Sequence, residues 1–230
     1  MKRVSVGVIE VTGSSVRLLV AEASARTLVR LREERALLGP EDGREHARIV
    51  NAHARVAREF GIGFLEVVLA DAARLHVGQL VPALRAASGA PVRLLAPEEE
   101  AELVWAGAIA PAGALPETVA VCDVRARSTI VVVGTLWGGP VWMRTLDIGA
   151  ADLAGRPAME ARGALASHFE GFLAPLPKAA LATPVEGATA AGALLILAEA
   201  RRRLGVPFRV AEGGLREGAA LALVRGLAAA

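Results

Sequence analysis

The chain has 230 residues, 53% of them hydrophobic and 22% charged, with a formal net charge of +2. That is enough for one large or two modest domains with a sizeable core, and it excludes a disordered chain. The charge is too small to steer the whole molecule onto nucleic acid or an anionic membrane, and with no tyrosine and 3% aromatics there is no stacking platform for single strands. Neither nucleic acid nor membrane is expected as a partner, so any anion site must be local.

Cys122 is the only cysteine, which excludes an internal disulfide and fits a reducing compartment. The opening "MKRVSVGVIEV" turns to strand-like alternation and meets Glu10, unlike a signal peptide. The longest apolar helical run, residues 188–200, is too short to span a bilayer. A soluble, cytoplasmic protein is the expectation.

In chain order, Val4 to Val11 alternates as a strand, "TGSS" at 12–15 makes a turn, and 16–23 and 27–36 read as two further strands. Ala47, Val50, Ala54, Ala57 and Phe60 recur at helical spacing from Arg44 until Gly61 and Gly63 end the helix. His46 and His53, with Arg44, Arg48, Arg55 and Arg58, are read as a solvated basic face of it. A strand at 65–70, a helix at 77–87 and a strand at 91–96 follow. "PEEEAELVWAGAIA" then opens a helix with proline and three acids, which suit the positive end of the helix.

The proline- and glycine-containing stretch 111–117 reads as a linker, and the pattern restarts after it with strands at 119–124, 129–136 and 141–147 and a mainly helical remainder. The predicted order is βββαβαβα, linker, βββ, helices. It predicts an α/β, two-domain actin-like (ribonuclease-H-like) architecture, with domains at 1–112 and 113–230 and an abbreviated second domain.

Five stretches in the same order resemble the Ppx/GppA family of exopolyphosphatases and guanosine pentaphosphate phosphohydrolases. "VIEVTGSSVRLLVAE" (8–22) sits where the family has an Asp-hydrophobic-Gly-Ser-Asn-Ser turn, and "VVLADAARLH" (67–76) where it has Ala-Thr-Ser-Ala-hydrophobic-Arg. "LLAPEEEAELVWAGA" (94–108) resembles its Ser-Gly-x-Glu-Glu-Ala helix start. "VCDVRARSTIVVVG" (121–134) stands at its Asp-Ile-Gly-Gly-Gly-Ser-Thr-Glu loop, and 190–223 resembles its closing helix, strand and "LREG" helix.

The resemblance implies roles residue by residue. Glu100 takes the general-base position, and Glu10 and Asp123 take the two loop aspartates, which would hold Mg²⁺ if the protein is active. Ser15, Arg74 and Ser128 take phosphate-binding positions. Polyphosphate, a guanine nucleotide or another anion is the implied ligand.

The departures are as informative. Arg125-Ala126-Arg127 replaces three glycines, so side chains obstruct the close approach of backbone N–H groups. Ile130 replaces an acid, Thr12 replaces a glycine, and Asp71 stands where the family has hydroxyls. Between residue 153 and the closing helix the chain is too short for the family's usual helices and Gly-Gly-Thr turn.

Two readings of Arg125 and Arg127 stay open. They bind phosphate directly as guanidinium forks, or they pair with Asp123, Glu10 or Glu100 and close the site; the second is preferred. The three acids 98–100 equally well stabilise a helix dipole, worth about 0.3–1 kcal/mol each at exposed positions. The functional expectation is therefore a Ppx/GppA-like protein, impaired or inactive as a hydrolase, that acts by binding an anion, nucleotide or protein. Its rival is an active Mg²⁺-dependent phosphoanhydride hydrolase. A third reading is a structural subunit with an apolar patch for homodimerisation.

Overall fold

The computed structural model describes residues 3–24, 27–38, 43–70, 77–184 and 190–229. Arg74 and Asp71 lie outside the described residues. Two compact units emerge, Met1–Leu103 with Arg216–Ala230, and Val104–Leu215.

The first unit is built on a sheet of β1 (Val4–Val11), β2 (Ser15–Ala23), β3 (Leu28–Leu37), β4 (Phe64–Leu69) and β5 (Val92–Leu94), in the order β3-β2-β1-β4-β5. β1, β2 and β3 form an antiparallel meander, and β4 and β5 extend it in parallel. Alternation sends Ile9, Val11, Val16, Leu18 and Val20 to one face. There they pack on Ile49, Val50, Ala54 and Ala57 of α1 (Gly43–Glu59) and on Leu80 and Leu84 of α2 (Val77–Ser88).

The stripe that α1 turns inward includes His46 and His53, both buried. The solvated basic face expected of these histidines is therefore wrong: seven residues apart, they share the face of Ile49 and Val50, and only the arginines point outward. His53 Nδ1 lies 3.3 Å from a Glu34 carboxylate oxygen on β3.

α3 (Pro97–Ile109) begins in the first unit. α7 (Leu215–Ala229) returns to it after its first residue. α7 meets α3 at Gly218, where any added Cβ would overlap the Leu103 carbonyl, so the glycine of "LREG" is the contact itself.

The second unit repeats the topology. β6 (Thr118–Val124), β7 (Thr129–Thr135), β8 (Gly139–Leu146), β9 (Ala179–Ala182) and β10 (Phe208–Val210) form a sheet in the order β10-β9-β6-β7-β8. This matches the first sheet strand for strand. α4 (Ala150–Leu153) and α5 (Ala158–His168) stand where the first unit has α1, and α6 (Ala190–Leu204) where it has α2. The core joins Cys122, Val131 and Val133 to Leu153, Leu165, Phe169 and Ile196. Phe172 meets the Trp142 ring edge-on at 5.1 Å.

The remainder is mainly helical, as expected, and β10 is the strand expected before the "LREG" helix; β9 is the addition, and the two complete the sheet. β9 has four residues where its counterpart β4 has six. Among the described residues, no helix is long and apolar enough to cross a membrane.

Candidate functional site: two self-filled turns

The β1–β2 turn is closed by its own threonine. Thr12 N–H donates to the Ser15 carbonyl at 2.9 Å. The Thr12 hydroxyl oxygen accepts the N–H of Ser15 at 3.0 Å and that of Ser14 at 3.4 Å, and lies 3.0 Å from the Ser15 hydroxyl. The Thr12 carbonyl, the usual acceptor in so tight a hairpin, faces His46 Nε2 at 3.2 Å instead. A carbonyl only accepts, so Nε2 carries the proton. Ser15, assigned to phosphate binding, is buried with its hydroxyl against Thr12.

Glu10 precedes this turn on the sheet face opposite Ile9 and Val11, 5% exposed. Within its own unit, Arg216 of α7 stands 3.7 Å from Glu10 Oε2. Arg216 is held by Glu33 at 3.4 Å and by the Leu18 carbonyl at 3.4 Å. The next residue, Glu217, is buried and takes Arg30 of β3 at 3.0 Å. Arg216 was missed as a site residue; its signal was the "LREG" stretch, read only as a helix signature.

The acids of α3 have separate fates. Glu98 is exposed. Glu99 joins Glu66 on Arg93, tying α3 to β4 and β5. Burial works against the Arg93 charge, but its hydrogen-bonded carboxylates more than offset this and hold the guanidinium above its usual value. Glu100 is 2% exposed. Dipole stabilisation needs no burial, so this position exceeds what helix capping requires.

The β6–β7 turn of the second unit is closed more firmly. Arg125 Nε donates to Asp123 Oδ2 at 2.7 Å, and the Thr183 hydroxyl donates to Asp123 Oδ1. Both oxygens of this carboxylate are therefore engaged. Arg125 N–H closes the turn onto the Ser128 carbonyl at 2.9 Å, and Ser128 is buried.

The turn's carbonyls are capped from α4. Ala150 N–H donates to Arg125 O at 2.7 Å, and Ala151 N–H to Ala126 O at 2.9 Å. The helix-end donors that could face an anion thus serve the turn instead. Gly149 makes this docking sterically feasible, since a Cβ there would overlap the backbone of Ala126 and Arg127. Arg127 reaches Asp152 at 3.2 Å, which is neither of its expected alternatives, phosphate or the three named acids. Cys122, before Asp123, is fully buried, and burial together with the neighbouring carboxylate pushes its thiol far up, so it is no thiolate nucleophile.

Magnesium demands carboxylate oxygens at about 2.0–2.1 Å in near-octahedral array. Asp123 would have to release both Arg125 and Thr183 to supply them, and Glu10 already faces a guanidinium. As arranged, these residues do not fit the ion. Among the described residues no group of three His, Cys, Asp or Glu side chains comes together as a metal site.

No family model and no curated protein matches the sequence. Solved structures do. The Aquifex aeolicus Ppx/GppA enzyme superposes with a TM-score of 0.78 at 15% identity, covering 96% of this chain and 99% of that one. An exopolyphosphatase from Cytophaga hutchinsonii gives 0.78 at 11%, covering 96% and 98%. Component A of the Acidaminococcus fermentans (R)-2-hydroxyglutaryl-CoA dehydratase gives 0.57 at 12%, covering 99% and 100%. At such identities the likeness is one of fold: the two units have the actin-like architecture expected from the sequence, in the form that Ppx/GppA structures take.

Proposed function

We propose that this chain is a Ppx/GppA-type phosphatase-like protein whose phosphoanhydride hydrolysis is lost or strongly impaired, and which acts in the cytoplasm by binding an anion, a nucleotide or a protein partner. Its support is the shared fold together with five motif stretches in the family's order. One observation carries the loss of catalysis: both oxygens of Asp123 are taken, by Arg125 and Thr183. Hydrolysis of a phosphoanhydride needs convergent donors free to meet charge that develops on the phosphate, and a carboxylate free to orient water or a metal. Here an arginine stands where the family has a glycine and pairs with the loop's own acid.

A second reading has one observation in its favour. Glu100, at the general-base position, is kept in a buried place that capping does not explain. An active hydrolase would use Glu100 to deprotonate water, with Glu10 and Asp123 released onto Mg²⁺.

The deciding experiment is phosphate release from long-chain polyphosphate with Mg²⁺, comparing the wild type with Glu100→Gln. The proposal expects no release from either. Release by the wild type that disappears in Glu100→Gln would establish the hydrolase and overturn it. Binding of polyphosphate and guanine nucleotides would be measured on the same samples.

A further inference from the structure

We infer that the end of the second sheet remote from the β6–β7 turn is a self-association surface, on which a second copy of this chain docks about a two-fold axis. It is independent of the closed turn and of the loss of hydrolysis. β6 runs seven residues from this end at Thr118 to the turn at Val124, which separates the two by about 20 Å.

Two segments build the surface. The β7–β8 hairpin carries Trp137 at its tip, 93% exposed, and Val141 just beyond it, also exposed. The tip is firmly held. Gly138 N–H donates to the Thr135 hydroxyl at 2.9 Å, Leu136 N–H donates to the Glu117 carbonyl at 3.0 Å, and a Cβ on Gly134 would overlap the Gly139 carbonyl. The connection from α5 to β9 reaches the same end of the sheet. Arg144 of β8 donates to its Glu170 carbonyl at 3.0 Å, Phe172 meets Trp142, and Lys178 N–H donates to the Thr118 carbonyl of β6 at 2.9 Å. Phe172 and Pro177 are buried and seat this connection, while Leu173 and Leu176 stand 85% and 74% exposed. Pro175 between them restricts the backbone, so both leucines are presented with little conformational freedom left to lose.

Area and charge both select a second copy as the occupant. Monomers rarely expose contiguous apolar patches beyond a few hundred Å²; these four side chains offer on the order of 500 Å², which two copies double to the roughly 1,000 Å² a specific interface needs. Tryptophan is the side chain that anchors interfaces most effectively. Glu117 and Lys178 stand exposed on adjacent strands at this end, and neither is held in an ion pair among the described residues. One acid beside one base gives the surface no net sign with which to choose an acidic or a basic partner. It does make the surface complementary to itself: a two-fold axis between them sets Glu117 of each copy against Lys178 of the other, and the contact is made twice.

Sedimentation equilibrium of the full chain at low ionic strength gives the dimer dissociation constant for each variant. The wild type is expected to dimerise, and Trp137→Ala to raise that constant at least about tenfold. Glu117→Lys and Lys178→Glu each turn both attractive pairs into repulsive ones, and each alone should weaken the dimer about three- to tenfold. Mixed in equal amounts the two should regain wild-type affinity, because every charge then meets its opposite on the other copy. Damage confined to one chain could not be rescued in that way. A wild type that stays monomeric, a dimer indifferent to Trp137→Ala, or charge variants that associate no better mixed than apart would overturn the inference. A monomeric wild type that pellets with phosphatidylcholine–phosphatidylglycerol vesicles, where Trp137→Ala does not, would overturn it in favour of a lipid surface.

Discussion

Arg125 closes onto Asp123 two residues upstream, Nε to Oδ2 at 2.7 Å, with the side chains only 9% and 13% exposed. A pair so far out of water holds together because each charge compensates the other, and it suffers when one is removed. Asp123→Asn keeps an oxygen for the Thr183 hydroxyl but leaves the guanidinium without its counter-charge. It should destabilise the protein by about 1.5–3 kcal/mol, the range for a hydrogen bond to a charged group. Arg125→Met added to Asp123→Asn should recover most of that, since an apolar side chain of similar length needs no partner. Urea denaturation of wild type, Asp123→Asn and the double variant tests this; Asp123→Asn within about 0.5 kcal/mol of wild type would mean the pair does not hold the turn.

Gly149 and Gly163 should respond to alanine with opposite signs. At Gly149 the new methyl has no room against Ala126 and Arg127, so α4 must lift from the turn at a cost of about 1–3 kcal/mol or more. At Gly163, exposed inside α5, nothing lies within 4 Å of the added Cβ. Alanine there should stabilise by roughly 0.5–1 kcal/mol through helix propensity and a smaller loss of backbone entropy. Thermal melts of Gly149→Ala and Gly163→Ala check both signs in one experiment.

Acid stability should carry a contribution from the end of α6. Glu199 is held below its ordinary value of 4.5, first by hydrogen bonds from Arg202 and then by Arg203, which together outweigh burial. A carboxyl with a lowered folded value stabilises fully above its unfolded value, and the contribution is lost as pH falls through the folded one. Glu199→Gln should therefore cost a few tenths to about 1 kcal/mol at neutral pH. The gap to wild type should close below pH 4.5. A gap unchanged down to pH 3 would show that the ion pair contributes nothing.

The alternation of β1, β2, β6 and β7 and the spacing in α1 were legible because each carries its own period. β9, "AALA", was not, since alanine favours helices and four residues show no period; only pairing with β6 and β10 makes it a strand. At the site, the preference for Arg125 pairing with Asp123 needed only two residues of local chain, and the structure bears out that contact. Thr183 is 60 residues from the carboxylate it caps, and Arg216 meets Glu10 from the other end of the chain; no local pattern announces either. His46 and His53 could have been read as buried from their spacing with Ile49 and Val50, and the surrounding arginines obscured that.

Ile130 tests whether the missing acid could simply be put back. It lies directly across the ladder from Asp123 and is 2% exposed. Ile130→Glu places a second carboxylate beside the first in a buried position, where like charges on facing strands repel and an uncompensated charge costs on the order of 3–5 kcal/mol. That variant should be strongly destabilised and should release no phosphate from polyphosphate. Adding glycine at Arg125, Ala126 and Arg127 strips Asp123 of its guanidinium and opens the turn, leaving two facing acids whose natural counter-charge is a divalent cation. Mg²⁺ should then raise the Tm of the quadruple variant, because an ion that binds only the folded state stabilises it by mass action, about 1.4 kcal/mol at ten times its Kd. The wild type should show no such rise. If Mg²⁺ stabilises the wild type equally, Arg125 does not block the carboxylate, and the closed turn cannot account for the proposed loss of hydrolysis.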